Sequence, residues 1–299
     1  MSSRRPAGLL GMTSTHTLET PDAALVYDVR GALPSTDGRP PLFLLGSPMD
    51  ASGFGTLVSH FPDRTVVTYD PRGIGRSTRR DGRAEQTPEQ QADDLHRVVE
   101  AVGGQVDVFA SSGGAVSALA LVATRPGDVG TLVAHEPPLT ALLPDAEQVA
   151  EAERAVHAVY HDKGWGHGMA AFIALVSWHG EFPGAKVVDA APDAASVGLP
   201  AADDGSRDDP LLSGASDGIT AFRPDVAALT AAPTRVVIAV GEESDGLLTG
   251  RTSVATAEAL GQEATVFPGG HAGFLGGEFG QQGKPAEFAA RLREVLDGG

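Results

Sequence analysis

Two serines interrupt the stretch QVDVFASSGGAVSAL, residues 105–119, between a run with strand character and a run with helix character. Val106, Val108 and Phe109 bring β-branched and aromatic content, whereas the alanines, valines and leucine after Gly114 suit a packed helix. Almost no loop separates the two. A serine at so sharp a corner is placed for nucleophilic chemistry. The helix that follows aims its unused backbone N–H groups and the positive end of its dipole back at the corner, where an oxyanion would develop. The corner needs small residues two before and two after its tip, because the chain turns tightly there. Ser112 has Ala110 and Gly114 at those places, and Ser111 has Phe109 and Gly113. Ser112 is therefore the expected tip. The competing reading is a glycine-rich turn with a phosphate-binding or purely structural role, since small-x-Ser-x-small is common by chance.

The whole chain narrows the chemistry. It has 299 residues, 41% of them hydrophobic, enough for one large core with room for an inserted subdomain. Lys and Arg number 22 against 39 Asp and Glu, a net charge of −17 that should repel nucleic-acid phosphates and anionic membranes. There is no cysteine, which excludes thiolate metal sites, disulfides and cysteine nucleophiles. His161 and His167 in HDKGWGHG lack a third ligand at useful helical spacing, so no metal site is expected. The opening MSSRRPAGLLGMTSTH has an arginine pair and a short apolar stretch broken by glycine, too weak for a signal peptide, and no segment approaches the length of a membrane helix. These features lead us to expect a cytoplasmic protein.

Strand-like and helical runs alternate along the chain, the pattern of a mostly parallel sheet with helices on both faces. The predicted strands are 24–29, 42–45, 65–69, 106–110, 131–134, 235–240 and 265–267. Thr87-Pro88-Glu89-Gln90 is the clearest helix start, with Thr as cap, Pro in the first turn and Gln at the reciprocal capping position. The rhythm breaks over residues 138–230. That stretch holds two predicted helices, about 145–162 and 167–178, then AAPDAASVGLPAADDGSRDDP, which reads as loop or disorder. The expected organisation is a core domain of residues 13–137 and 231–299 with a helical lid over 138–230. In the lid, Trp165, Met169, Phe172, Ile173, Leu175, Val176 and Trp178 are expected mostly to pack among themselves, with one or two facing the site.

Four segments, LFLLGSPMD (42–50), VVTYDPRGIGRS (66–77), FASSGGAVSAL (109–119) and FPGGHAGF (267–274), stand in an order and spacing that resembles the α/β-hydrolase family. The similarity covers residues 24–136 and 233–297, and DPRGIGRS is its most specific mark. Two places depart from the usual pattern: Ala110 replaces a glycine, and Leu45-Gly46 stands where His-Gly is common. The resemblance implies an α/β-hydrolase fold with Ser112 as nucleophile, His271 as general base, and the backbone N–H groups of Ser47 and Gly113 as oxyanion hole; Pro48 has no N–H to offer. For the acid that orients the histidine, relatives use either of two places. After the strand ending at Val240 the chain reads GEESDG, where the usual spacing lands on Ser244, so that Asp245 fits if the loop is one residue longer. After the strand 131–134 stands Glu136, in HEPP. Asp245, Glu136 and Glu243 are the candidates, in that order.

The expected function is a serine hydrolase that cleaves an ester, lactone or related acyl compound with an apolar part, through an acyl-enzyme and with no cofactor. A serine at the elbow argues against relatives that use aspartate there. The alternatives are a cofactor-free perhydrolase or haloperoxidase-like enzyme with the same triad, and a ligand-binding protein that keeps the fold without turnover.

Overall fold

A computed structural model describes residues 12–298, so the part of the N-terminal reading that falls on residues 1–11 lies outside the described residues. Nine strands form one sheet: β1 (Thr13–Glu19), β2 (Ala23–Arg30), β3 (Leu42–Ser47), β4 (Val66–Tyr69), β5 (Thr78–Arg79), β6 (Val106–Ser112), β7 (Val129–His135), β8 (Arg235–Gly241) and β9 (Thr265–Phe267). Their order is β1-β2-β4-β3-β6-β7-β8-β9, with β5 paired to β2. From β4 to β9 every pairing is parallel, and β1, β2 and β5 add the antiparallel edge. The helices are α1 (Gly55–Ser59), α2 (Pro88–Ala101), α3 (Gly113–Thr124), α4 (Ala146–Lys163), α5 (Trp165–Val176), α6 (Asp217–Thr220), α7 (Val226–Ala231), α8 (Leu248–Ala259) and α9 (Pro285–Leu296). Among the described residues no helix is long and apolar enough to cross a membrane.

The central strands are apolar on both faces because both faces are covered. Phe43 and Leu45 of β3 and Val106, Val108 and Ala110 of β6 point into one core with Leu95 and Val99 of α2 and Leu119 of α3. Leu42, Leu44 and Phe109 point the other way, toward Leu57 of α1 and Phe288 and Leu292 of α9. The alternation along β3 thus splits its side chains between two helical layers.

All seven predicted strands are present. The two that sequence reading missed have little to read: β1 is almost wholly exposed and carries no apolar alternation, and β5 has two residues. Helix α2 starts where predicted, with the Thr87 hydroxyl accepting from the Gln90 N–H at 3.3 Å. The reciprocal half of the expected capping box is not made, because the Gln90 side chain turns to Arg79, 3.0 Å from its Oε1. Between β7 and β8 there is no strand among the described residues, and α4 and α5 form a helical insertion with its own apolar cluster around Val149, Val156, Tyr160 and Leu175. Residues 191–210 are coil and turn apart from one 3₁₀ turn, and Asp209 anchors their end by accepting from Trp165 Nε1 at 2.9 Å.

The DPRGIGRS segment works as a clamp. The Asp70 carboxylate accepts from Ala51 N at 3.0 Å and from Arg76 N and Nε at 2.8 and 2.7 Å, tying the turn after β4 to the turn after β3. Ser77 accepts from Val26 N and donates to Asp70 O. Arg72 forks onto the buried Asp94 of α2 at 2.8 and 2.6 Å. These charge-assisted bonds fix the loop beside the C-terminal edge of the sheet.

One close approach of backbone to backbone lies where α3 leaves the sheet. A Cβ built on Gly114 would stand 2.8 Å from Gly46 Cα and 2.9 Å from its carbonyl carbon, distances backbone atoms cannot yield without moving β3 or α3. Gly114→Ala is therefore expected to destabilise the fold by about 1–3 kcal/mol. Chemical denaturation checks this, and an unchanged midpoint would mean that the helix shifts freely.

Candidate active site

Ser112 closes β6 and caps α3 with φ 58° and ψ −132°, a backbone conformation that non-glycine residues rarely adopt. Such strain persists only where the surroundings over-determine it. Here β6 is paired in register on both sides, to β3 up to Ser47 and to β7 up to His135, while α3 is pinned against Gly46. Ser111 lies on the opposite side of β6: it is buried, and its hydroxyl is paired to His135 Nδ1 at 3.1 Å. Ser112 is thus the residue at the corner and Ser111 a packed strand residue, as the small-residue rule at the elbow requires.

The carboxylate that meets His271 is Glu136. His271 Nδ1 is 2.7 Å from Glu136 Oε2, and the Glu136 side chain is 0% exposed. Glu136 follows β7 with φ 50°, so the strand ends in a backbone kink that turns the side chain toward the His271 loop. Two further donors hold it: Gly241 N to Oε1 at 2.9 Å and Thr249 Oγ1 to Oε2 at 2.6 Å. Burial alone would raise the pKa of this carboxyl. The hydrogen bond from His271 overcomes that, with the charge of that ring when it is protonated, and keeps it well below the usual range. Thr249, on α8, was not legible beforehand, because nothing local in GLLTGR marks a threonine that reaches across to another strand.

Asp245 does not meet His271, which corrects the first-ranked expectation. The loop after β8 closes in a tight turn, with Ser244 N bonded to Gly241 O at 3.0 Å, and this turns Ser244 inward and leaves Asp245 exposed without a hydrogen bond among the described residues. Glu243 points outward too, in an ion pair with Lys284 at 2.7 Å. The inward position after β8 thus carries a hydroxyl, and the carboxylate that meets His271 follows β7. Gly241 permits the arrangement, since a Cβ there would lie 2.5 Å from Gly269 O, against the loop that carries His271.

His271 keeps its Nε2 free, and its side chain is 44% exposed. Ser112 Oγ makes no hydrogen bond to His271 or to any other described group; the two residues are linked through His135, which pairs with Ser111 in register and whose ring lies 6.0 Å from that of His271. Ser47 ends β3 opposite Ser112 in register, and Gly113 is the first residue of α3, where the helix has no acceptor for the N–H. Among the described residues no group of three or more His, Asp or Glu is arranged to hold a metal ion.

The chain between β7 and β8 approaches this corner through α6. Ile219 Cγ2 would stand 3.1 Å from a Cβ on Gly113, while Trp165, Met169, Phe172, Val176 and Trp178 pack against the apolar cluster of the insertion itself, as expected. Ile219 gave no sequence signal, lying alone between Gly218 and Thr220.

Beneath His271 lies a second imidazole. His135 is fully buried, its ring 6.0 Å from that of His271 at an angle of 21°, with Phe109, Phe267, Phe274 and Phe288 around it. Burial pushes its pKa down to about 4, so it stays neutral and puts no positive charge against His271. An unfolded histidine takes up its proton near pH 6.5 and the folded one only near 4. Stability is therefore full above about 6.5 and is lost as the pH falls between the two values. The loss from this one group should reach about 3 kcal/mol. His135→Phe is expected to flatten the wild-type fall in stability between pH 7 and pH 4.5, measured by urea unfolding across pH; parallel curves for the two proteins would show that His135 protonates as easily folded as unfolded.

Comparison with known proteins agrees with this architecture. Residues 42–291 match the model of the family described as "Alpha/beta hydrolase family". An uncharacterized hydrolase, YraK, of Bacillus subtilis (strain 168) is 29% identical over 294 residues, covering 94% of this chain and 95% of its own length. Among solved structures, a putative aryl esterase from Burkholderia cenocepacia superposes with a TM-score of 0.65 at 19% identity, over 95% of this chain and 98% of that one. A thermophilic esterase from Thermogutta terrifontis, malate bound, gives 0.61 at 22% identity, over 96% and 98%. A strained serine at the turn from β6 to α3, a buried carboxylate bonded to the histidine after β9, and a family match spanning most of the sequence lead to one conclusion: the chain belongs to the α/β-hydrolase family.

Proposed function

We propose that the protein is a serine hydrolase of carboxylic esters or lactones, with Ser112 as nucleophile, His271 as general base and acid, Glu136 as the orienting acid, and the amides of Ser47 and Gly113 as oxyanion hole. The observation that carries the reading is the bond from His271 Nδ1 to the buried, triply held Glu136 carboxylate. That bond keeps the proton on Nδ1 and leaves the Nε2 lone pair available to Ser112. Esterases among the structural neighbours fit the same reaction class.

In the first half-reaction the Ser112 oxygen bonds to the acyl carbon while its proton passes to His271 Nε2, and the carbonyl π electrons move onto oxygen, where the two amides receive them. Collapse of that intermediate breaks the bond to the leaving oxygen, which takes the proton from Nε2. Water then repeats the sequence, giving its proton to Nε2, displacing Ser112 and releasing the acid. Throughout, the Glu136 carboxylate accepts from Nδ1 and stabilises the transient imidazolium. We assign residues 138–230 to a lid that shapes the acyl pocket, with Ile219 of α6 as an apolar wall beside Gly113 and hence a preference for substrates with an apolar part.

Ser112→Ala should abolish turnover of p-nitrophenyl acetate, and a fluorophosphonate probe should label Ser112; labelling at Ser111 would overturn the assignment. Glu136→Gln is expected to lower kcat on the order of 10³- to 10⁴-fold, because the imidazole loses its tautomer and its charge partner. Asp245→Asn should leave kcat within about twofold of wild type, since an exposed, unbonded carboxylate orients nothing. Steady-state kinetics on the two variants decides, and a severe loss in Asp245→Asn with activity retained in Glu136→Gln would reverse the acid assignment.

A further inference from the structure

Behind the turn from β3 lies a chain of buried polar side chains that the reaction above does not use. It runs from Arg72 through Gln86 and Gln91 to Ser47, with Ser117 of α3 joined at Gln91, and the side chains of Ser47, Gln86, Gln91 and Ser117 are all buried. Its hydrogen-bond direction can be worked out from one end. The Arg72 carbonyl can only accept, so the Gln86 group 3.3 Å from it is the amide nitrogen. Gln86 Oε1 must then face Gln91, and it lies 3.0 Å from Gln91 Nε2. Gln91 therefore turns its oxygen to Ser117, whose Oγ donates at 2.5 Å, and gives its second N–H to Ser47 Oγ at 3.3 Å.

The consequence falls on Ser47. Its hydroxyl oxygen is occupied as an acceptor, and its own hydrogen has no acceptor among the described residues. A buried donor without a partner is costly and rare, and it marks a place where a ligand acceptor belongs. Ser47 stands opposite Ser112 across β3 and β6, and its Cβ would lie 3.4 Å from a Cβ on Gly113. Its side chain therefore borders the same corner as the Gly113 amide.

We infer that the Ser47 hydroxyl is a third donor to the developing oxyanion, beside the amides of Ser47 and Gly113, and that Gln91 is the residue that positions it. The inference rests on the ester-hydrolase reading. Gln91 fixes the rotor by donating to the oxygen, so that the hydrogen is directed away from α2 toward the corner without reorganisation during the reaction. In this chain a side chain thus adds to what an oxyanion hole made of backbone alone supplies.

The test is a double-mutant cycle on the full-length protein with p-nitrophenyl acetate. Ser47→Ala keeps the backbone amide and removes only the hydroxyl; it should lower kcat on the order of 100-fold with KM changed little and the thermal midpoint unmoved, because the donor acts on charge present only in the transition state. Gln91→Met should lower kcat in the wild-type background and not further in Ser47→Ala, since its effect passes through that hydroxyl. Full kcat in Ser47→Ala would overturn the inference. So would losses that multiply in the double variant, which would mean that Gln91 acts through Ser117 and α3 instead. If the wild-type protein neither turns over esters nor reacts with a fluorophosphonate, it is the hydrolase reading that fails, and this inference falls with it.

Discussion

The positive φ of Ser112 is the constraint around which the rest of the molecule is arranged. A serine held there costs on the order of 1–3 kcal/mol, and no single contact compensates. The strain is distributed instead. Strand β6 is paired to β3 up to Ser112 and to β7 up to Ser111, so Ser112 cannot relax by sliding, and α3 packs directly on Gly46 through Gly114. The corner is in this sense held by the centre of the sheet. Any change that loosens β3 against α3 should first release the serine.

That corner also sits where the topology changes direction. From β3 the chain proceeds to β4 on one side, and from β6 to β7, β8 and β9 on the other, so α1 and α3 cover opposite faces of the sheet. A crevice opens between two such diverging connections at the C-terminal ends of the strands. Ser47, Ser112, Glu136 and the His271 loop all lie at those ends, brought together from four connections far apart in the chain. The helical insertion departs after β7 and returns before β8, next to the strand that delivers the acid, and through Ile219 it reaches the elbow itself.

How much of this could be read in advance depended on how local the physics was. The central strands were legible because burial on both faces writes continuous apolar runs, and the elbow was legible because a tight turn admits only small neighbours. Strand β1 was not, for an exposed edge strand need not alternate. Nor did the capping rule foresee that Gln90 would prefer Arg79 to the backbone. The carboxylate that meets His271 could be narrowed to three residues but not to one, since the choice between Asp245 and Glu136 turns on whether Ser244 or its neighbour faces inward. That is settled by the i to i+3 bond of the loop together with the kink at Glu136, neither of which leaves a mark in residue types. Gln91 and Thr249 were invisible for the same reason: each is an ordinary polar helix residue until its partner from a distant segment arrives.

That the carboxylate bonded to His271 follows β7, rather than lying in the loop after β8, has a physical consequence for the histidine. Glu136 is wholly buried, bonded to the Gly241 amide and the Thr249 hydroxyl before His271 arrives, and its own N–H is bonded to Ala239 O at 3.0 Å. Its carboxylate therefore has little rotamer freedom left to lose when the imidazole docks. The His271 loop supplies the opposite property. Its histidine is nearly half-exposed and its sequence is rich in glycine, so the ring has room to adjust. The neutral His135 ring beneath gives that ring a flat apolar surface to rest on. A protonated ring in that place would set a positive charge against any charge gained by His271. The proposed relay would thus rest on a rigid carboxylate, an adjustable imidazole and an uncharged ring beneath it, able to hold one tautomer while a proton moves.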